Sequence, residues 1–142
     1  MPWSLHPQLE GDSCPVGDLP LSRLLLANDA NYPWLVLVPR CVGASEIIDL
    51  SHAEQIELAI EIAAVSRALK AVAPCDKLNV AALGNVVPQL HVHVIARFVG
   101  DDAWPGPVWG SGPAIPYSSE AAAQRIADLR GALAGPTFKG LA

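Results

Sequence analysis

The sequence predicts an α+β domain built on a mainly antiparallel sheet. Two pairs of short apolar runs are each joined by too few residues for a parallel crossover. After each pair comes a stretch whose apolar residues recur every three or four positions, the period of a helix packed on one face. The order hairpin, helix, hairpin, helix is that of an α+β fold.

Each element has its own local reason. Gly11-Asp12, Pro15, Gly17-Asp18 and Pro20 punctuate the first twenty residues, which read as loop with room for one short edge strand. Leu21 to Ala27 and Trp34 to Val38 flank Asn28-Asp29-Ala30-Asn31, residues suited to a turn, and Pro39 ends the pair. Ser51 with Glu54 fits a capping box, so a helix is expected from there to about Val72, before Pro74. Its apolar stripe is Leu58, Ile62, Val65, Leu69 and Val72, which leaves Glu57, Glu61, Arg67 and Lys70 for other faces. Lys77 to Leu83 and Gln89 to Arg97 form the second hairpin, turning through Gly84-Asn85 and Pro88. Gly100 to Tyr117 holds four Gly and four Pro, with Trp104 and Trp109, and reads as a long irregular loop. A last helix runs from Ser119 through Leu133 with Ala122, Ile126, Leu129 and Leu133 on one stripe, stopped by Gly135-Pro136.

Composition narrows the function. At 142 residues, 51% hydrophobic and 16% charged, the chain is expected to fold as one domain without disulfides or a structural metal. Nine Lys+Arg against 14 Asp+Glu leave no broad basic surface, so no nucleic-acid partner is expected. Cys14, Cys41 and Cys75 are odd in number and widely spaced, which suits a reducing compartment. The start MPWSLHPQLEGD has no leader pattern and no apolar stretch approaches a membrane span, so the expected location is cytoplasmic.

On the last strand of the second hairpin, Gln89, His91 and His93 stand at alternate positions and are expected to share one face, with Leu90, Val92 and Val94 on the other. A bare His-x-His has three readings: two structural histidines, half of a metal site, or a nucleophile with an acid–base partner. The metal reading lacks further ligands, since His6 and His52 are the only other histidines and the cysteines are scattered. His52, in the first turn after Ser51, reads as an exposed helix-start residue.

The string Gly84-Asn85-Val86-Val87-Pro88-Gln89-Leu90-His91-Val92-His93-Val94-Ile95-Ala96-Arg97 resembles the signature strand of the histidine triad (HIT) superfamily, His-φ-His-φ-His-φ-φ after a Gly-containing turn and often before a basic residue. Trp34-Leu35-Val36-Leu37-Val38-Pro39-Arg40 is similar to the family's earlier strand, and Asn79 stands where the family commonly has an Asn. The resemblance covers roughly residues 20 to 100. It implies a HIT-like fold, a five-stranded antiparallel sheet with two helices, commonly a homodimer. It further implies hydrolysis or transfer of nucleotidyl groups from nucleoside phosphoramidates, dinucleoside polyphosphates or sugar nucleotides, with no cofactor and no metal. Val94-Ile95-Ala96-Arg97, just after His93, resembles the run after the family's third histidine, so Gln89, His91 and His93 take the three places in order. The resemblance makes His91 the nucleophile and His93 the group at the phosphoryl or leaving atom. A neutral imidazole can attack phosphorus without a strong base.

Two family histidines are replaced, by Gln89 and by Trp34. Because the family places those side chains near one another, the pair is expected to have repacked together, with Trp34 opposite Gln89. The backbone carbonyl at Gln89, which in the family orients the nucleophile, is kept whatever the side chain. An alternative to an enzyme is a nucleotide-binding HIT-fold protein with little turnover. Asn79 is a candidate for a phosphate or ribose, or satisfies a strand neighbour. Asn28 and Asp29 are candidates for ribose hydroxyls, with turn formation as the other explanation. Asn85 is a phosphate donor or a turn residue. Trp104 and Trp109 wall a base pocket or a dimer groove, or simply pin the Gly/Pro loop.

Overall fold

The computed structural model describes residues 2–141. A short helix, α1 (Pro7–Gly11), precedes strands β1 (Ser13–Asp18), β2 (Ser22–Ala27) and β3 (Trp34–Pro39); α2 (His52–Val72) leads to β4 (Lys77–Ala81) and β5 (Val92–Arg97), and α3 (Ser119–Leu133) to β6 (Lys139–Gly140). The strands form one antiparallel sheet in the order β4-β5-β3-β2-β1-β6. It has six strands rather than five. The sixth is a two-residue rung that can lie against β1 because Gly17 has no side chain: a Cβ there would run into the Phe138 ring and sit 2.6 Å from the Lys139 carbonyl.

Strand alternation sorts the sheet into two faces. Leu24, Leu26, Leu35, Leu37, Val92, Val94 and Ala96 meet Leu58, Val65 and Leu69 of α2 and Leu129 of α3 in the main core. Both long helices form as expected. Ser51 Oγ accepts the Glu54 N–H at 3.2 Å while Glu54 returns a carboxylate oxygen to the Ser51 N–H at 2.8 Å, and Ser118 caps α3 through the Ala121 N–H. One residue off the α2 stripe has a buried role. Glu61 is buried, and its carboxylate accepts the Leu21 N–H at 2.7 Å and the Ser22 N–H at 3.0 Å, so it closes the start of β2.

The other face carries Leu25, Val36 and Val38 toward α1 and the N-terminal segment, and His93, Ile95 and Arg97 toward the Gly/Pro loop. Neither α1 nor a six-residue β1 follows from the turn residues of the first twenty positions. α1 is capped by His6, whose Nδ1 accepts the Gln8 N–H at 3.1 Å, with proline in its first turn. The second hairpin is also shorter than expected. The last β4–β5 pair is Ala81 with His93, and beyond it the Leu90 N–H bonds to the Ala44 carbonyl at 3.0 Å. That exchange moves residues 88–91 from the β4 ladder to the connection between β3 and α2. Gln89 and His91 therefore precede the strand, and only His93 lies on it.

Candidate active site

His91 and His93 come together although just one of them is in the strand. Their ring centroids are 4.9 Å apart, edge to face, and both residues are buried. His91 Nδ1 lies 2.7 Å from the backbone carbonyl of Gln89. A carbonyl can only accept, so Nδ1 carries the proton and Nε2 keeps its lone pair. An imidazole held in that tautomer can act as a nucleophile or a base.

His93 is held in the opposite tautomer. Its Nδ1 accepts the Trp34 indole N–H at 3.0 Å. An indole nitrogen is a donor only, so Nδ1 is bare and the His93 proton is on Nε2. Trp109, from the Gly/Pro loop, closes the other side, with its ring 5.1 Å from that of His93 and 5.9 Å from that of Trp34. Burial, aided by the neighbouring His91, pushes the His93 pKa down to about 4. His93 is thus a neutral N–H donor at ordinary pH. The two rings together offer one lone pair and one N–H, which suits attack on an electrophile whose oxygens or leaving atom need a hydrogen bond.

Gln89 does not meet Trp34. Trp34 turns to His93, as its hydrogen bond and a centroid distance of 5.6 Å show, whereas the Gln89 amide takes the N-terminal segment. Its Oε1 accepts the His6 N–H at 2.8 Å and its Nε2 donates to the Ser4 carbonyl at 2.9 Å. The expected Gln89–Trp34 pair is therefore two separate substitutions. The reason lies in the early end of β5: Gln89 sits in the turn, where the nearest backbone is residues 4–6.

The remaining candidates divide. Asn79 accepts from the Arg97 guanidinium at 2.8 Å, so it satisfies a strand neighbour. Arg97 is itself buried, held by both Asp101 oxygens at 2.8 Å and lying 5.7 Å from the Tyr32 and Trp104 rings. Hydrogen bonding from Arg97 holds the Asp101 carboxyl below its usual range. Asn28 accepts the Tyr117 N–H at 2.9 Å, and Asp29 accepts those of Asn31 and Ile115 at 3.0 and 3.3 Å. Both therefore fasten the end of the Gly/Pro loop to the β2–β3 turn. Asn85 is exposed beside Gly84, which with Ala82, Leu83, Leu90, Ser45, Glu46 and Ile47 lines a small cleft against His91. His52 is exposed at the start of α2. Of the loop tryptophans, Trp109 reaches the site and Trp104 braces Arg97. Sequence offers Trp109, with Trp104, as a wall of a base pocket or dimer groove or a pin for the loop, and nothing in its spacing points to His93.

No group of three or more His, Cys, Asp or Glu side chains is arranged to hold a metal among the described residues. Cys41 donates its S–H to Glu54 at 3.2 Å, and burial lifts its pKa to about 11, which keeps it a thiol.

The family model of the HIT domain matches residues 8–100. Among solved structures, a histidine triad protein from Bradyrhizobium japonicum is 54% identical with a TM-score of 0.92, over 94% of this chain and 99% of its own. A histidine triad protein from Marinobacter aquaeolei is 45% identical with a TM-score of 0.91, over 94% and 97% of the two chains. One from Sinorhizobium meliloti is 43% identical with a TM-score of 0.91, over 92% and 97%. No curated protein matches the chain. The sheet, the paired imidazoles and these matches agree, and the chain belongs to the HIT domain family.

Proposed function

We propose that this protein is a nucleotidyl hydrolase or transferase that works through a covalent intermediate on His91. The observation that carries the reading is the Nδ1–H contact of His91 to the Gln89 carbonyl, which leaves Nε2 as a bare nucleophile. In this reaction the Nε2 lone pair attacks the α-phosphorus of a nucleotide conjugate. A P–N bond to His91 forms, the bond from phosphorus to the leaving group breaks, and that group departs with the electron pair and takes up a proton. Water then attacks the same phosphorus, the His91–P bond breaks, and a nucleoside monophosphate leaves with Nε2 restored. The Nε2–H of His93 donates to the phosphoryl oxygen or leaving atom as negative charge grows there. A neutral His93 can do this without itself titrating in the physiological range.

The substrates are nucleoside phosphoramidates or dinucleoside polyphosphates, with Gln89, His91 and His93 in the three triad places. No resident metal or other cofactor is assigned a step. The protein acts in the cytoplasm; no helix among the described residues is long and apolar enough to cross a membrane. It works as a homodimer. Support for the dimer is the open outer edge of β4 together with exposed Val80 on that strand, Ile56 and Ile60 one turn apart on α2, and Val86 in the loop before β5.

A second reading, a nucleotide-binding protein with little turnover, draws on Trp34 and Trp109, which crowd His93 from two sides. A panel of adenosine and guanosine phosphoramidates, dinucleoside polyphosphates and nucleotide sugars, read by product chromatography, decides between the two. Release of a nucleoside monophosphate from the first two classes supports the enzyme. Binding of the panel with no release from any member overturns it.

A further inference from the structure

The N-terminal segment crosses the catalytic face of the sheet. Trp3 and Leu5 pack on Leu25, Val36 and Val38, and Val36 is the direct cross-strand partner of His93. The segment is fastened beside the histidines by one side chain. Gln89 grips the chain on both sides of Leu5, accepting from the His6 N–H and donating to the Ser4 carbonyl. The same residue's backbone carbonyl holds Nδ1 of His91 at 2.7 Å. Side chain and carbonyl belong to one residue in the turn ahead of β5, so whatever fixes the amide also limits how far that carbonyl can swing. Neighbouring contacts tie the turn down from elsewhere as well, through the Leu90 N–H and the Ala44 carbonyl. The Leu90 N–H shares a planar peptide with the Gln89 carbonyl, so that bond holds the carbonyl from one end and the Gln89 amide holds the residue from the other.

We propose that Gln89 is a positioning residue whose side chain uses the N-terminal strap, Trp3 to His6, as an anchor that holds its own carbonyl in place against His91. The inference rests on the reading of His91 as nucleophile. Under it the strap is part of the machinery that sets the nucleophile's tautomer and aim, although none of its residues touches the reacting atoms. Losing the anchor leaves substrate contacts intact and misorients Nε2, so kcat falls and KM does not change.

Two substitutions test the anchor from opposite ends. Gln89→Leu removes the amide and keeps the carbonyl. His6→Pro removes the N–H without backbone strain, because His6 already has φ of −57°, and His6→Ala, which loses the same imidazole cap of α1 but keeps the N–H, is its control. The first measurement is hydrogen exchange at the His6 amide. It should be protected in the native protein and should exchange faster in Gln89→Leu, whether or not the protein turns over any substrate. The second is steady-state kinetics. Gln89→Leu and His6→Pro should each lower kcat about tenfold with KM nearly unchanged, as expected for a misplaced reacting group. The double variant should be no worse than either single one, since both break the same link. Gln89→Glu, which keeps the acceptor for His6 and loses the donor to Ser4, should fall between native and Gln89→Leu. Unchanged exchange at His6 in Gln89→Leu would show that the clamp is absent in solution and overturn the proposal. Multiplicative losses in the double variant, or a loss carried by KM, would overturn it too. Faster exchange in a protein that hydrolyses no nucleotide conjugate would leave the clamp standing and count against the catalytic reading instead.

Discussion

The Trp34 indole N–H donates to Nδ1 of His93 across 3.0 Å, joining the first residue of β3 to a histidine of β5 two residue pairs along the ladder. The bond settles which nitrogen of His93 carries a proton, and it does so through a residue that stands where the resemblance expects a histidine. A histidine there could accept as readily as it donates. Tryptophan can only donate, so His93 is confined to the Nε2–H form.

Trp34→Phe should therefore release the tautomer while keeping most of the packing. Long-range proton–nitrogen spectra of the imidazoles should show a single Nε2–H form of His93 in the native protein and a mixture in the variant. Because the N–H aimed at the substrate is then present for only part of the time, kcat/KM should fall, by about tenfold. An unchanged tautomer in Trp34→Phe would mean that the indole does not control it.

His93 also makes stability depend on pH. Its pKa is lowered in the fold from 6.5 to about 4, so between those values the unfolded chain binds a proton that the native protein refuses. Stability contributed by the neutral ring is full above pH 6.5 and drains away as pH falls toward 4, roughly 3 kcal/mol at 1.36 kcal/mol per pH unit. Urea unfolding at pH 7, 5.5 and 4.5 measures it. His93→Gln should flatten that slope, and an equal slope in both proteins would assign the loss to other groups.

Glu61→Ala should destabilise the fold by about 3 kcal/mol, because it strands the buried Ser22 N–H and the partly buried Leu21 N–H at the start of β2. Glu61→Gln, which can still accept with its one oxygen, should cost less. Thermal or urea unfolding gives both values, and equal costs for the two variants would show that the carboxylate's hydrogen bonds are not what holds this corner.

Glu61 also shows what sequence patterning could and could not reach. The core stripe of α2, its Ser51–Glu54 cap and the full extent of α3 are local signals, readable from spacing and side-chain type. The choice of faces for Leu90, Val92 and Val94 against His93 is equally local. Glu61 is buried for a reason located forty residues earlier, in two N–H groups that β2 leaves unpaired. The site divides in the same way. His91 and His93 are legible as a pair from the family resemblance, whereas strand alternation holds only for His93, since Gln89 and His91 precede β5. That Trp34 and Trp109 both close on His93, and that Gln89 reaches residues 4–6, depends on where a turn and a Gly/Pro loop fold back, which no local period records. Asn28 and Asp29 turn out to be the staples of that loop.

Self-association should be measurable by light scattering at micromolar concentration, where a homodimer gives twice the mass of the chain. Ile60→Glu, on the exposed side of α2, should shift the protein toward monomer with little change in fold. A native protein that scatters as a single chain would remove the dimer.

The covalent bond proposed between His91 and a nucleotide can be caught by single-turnover trapping. Protein in excess is mixed with a nucleoside phosphoramidate and quenched within milliseconds in alkaline denaturant, since a P–N bond to histidine is labile in acid. Intact-mass spectrometry should show the chain heavier by one nucleoside monophosphoryl group, mapped to the peptide carrying His91 and missing from His91→Ala. Release of nucleotide at the native rate by His91→Ala, with no adduct on either protein, would contradict the account.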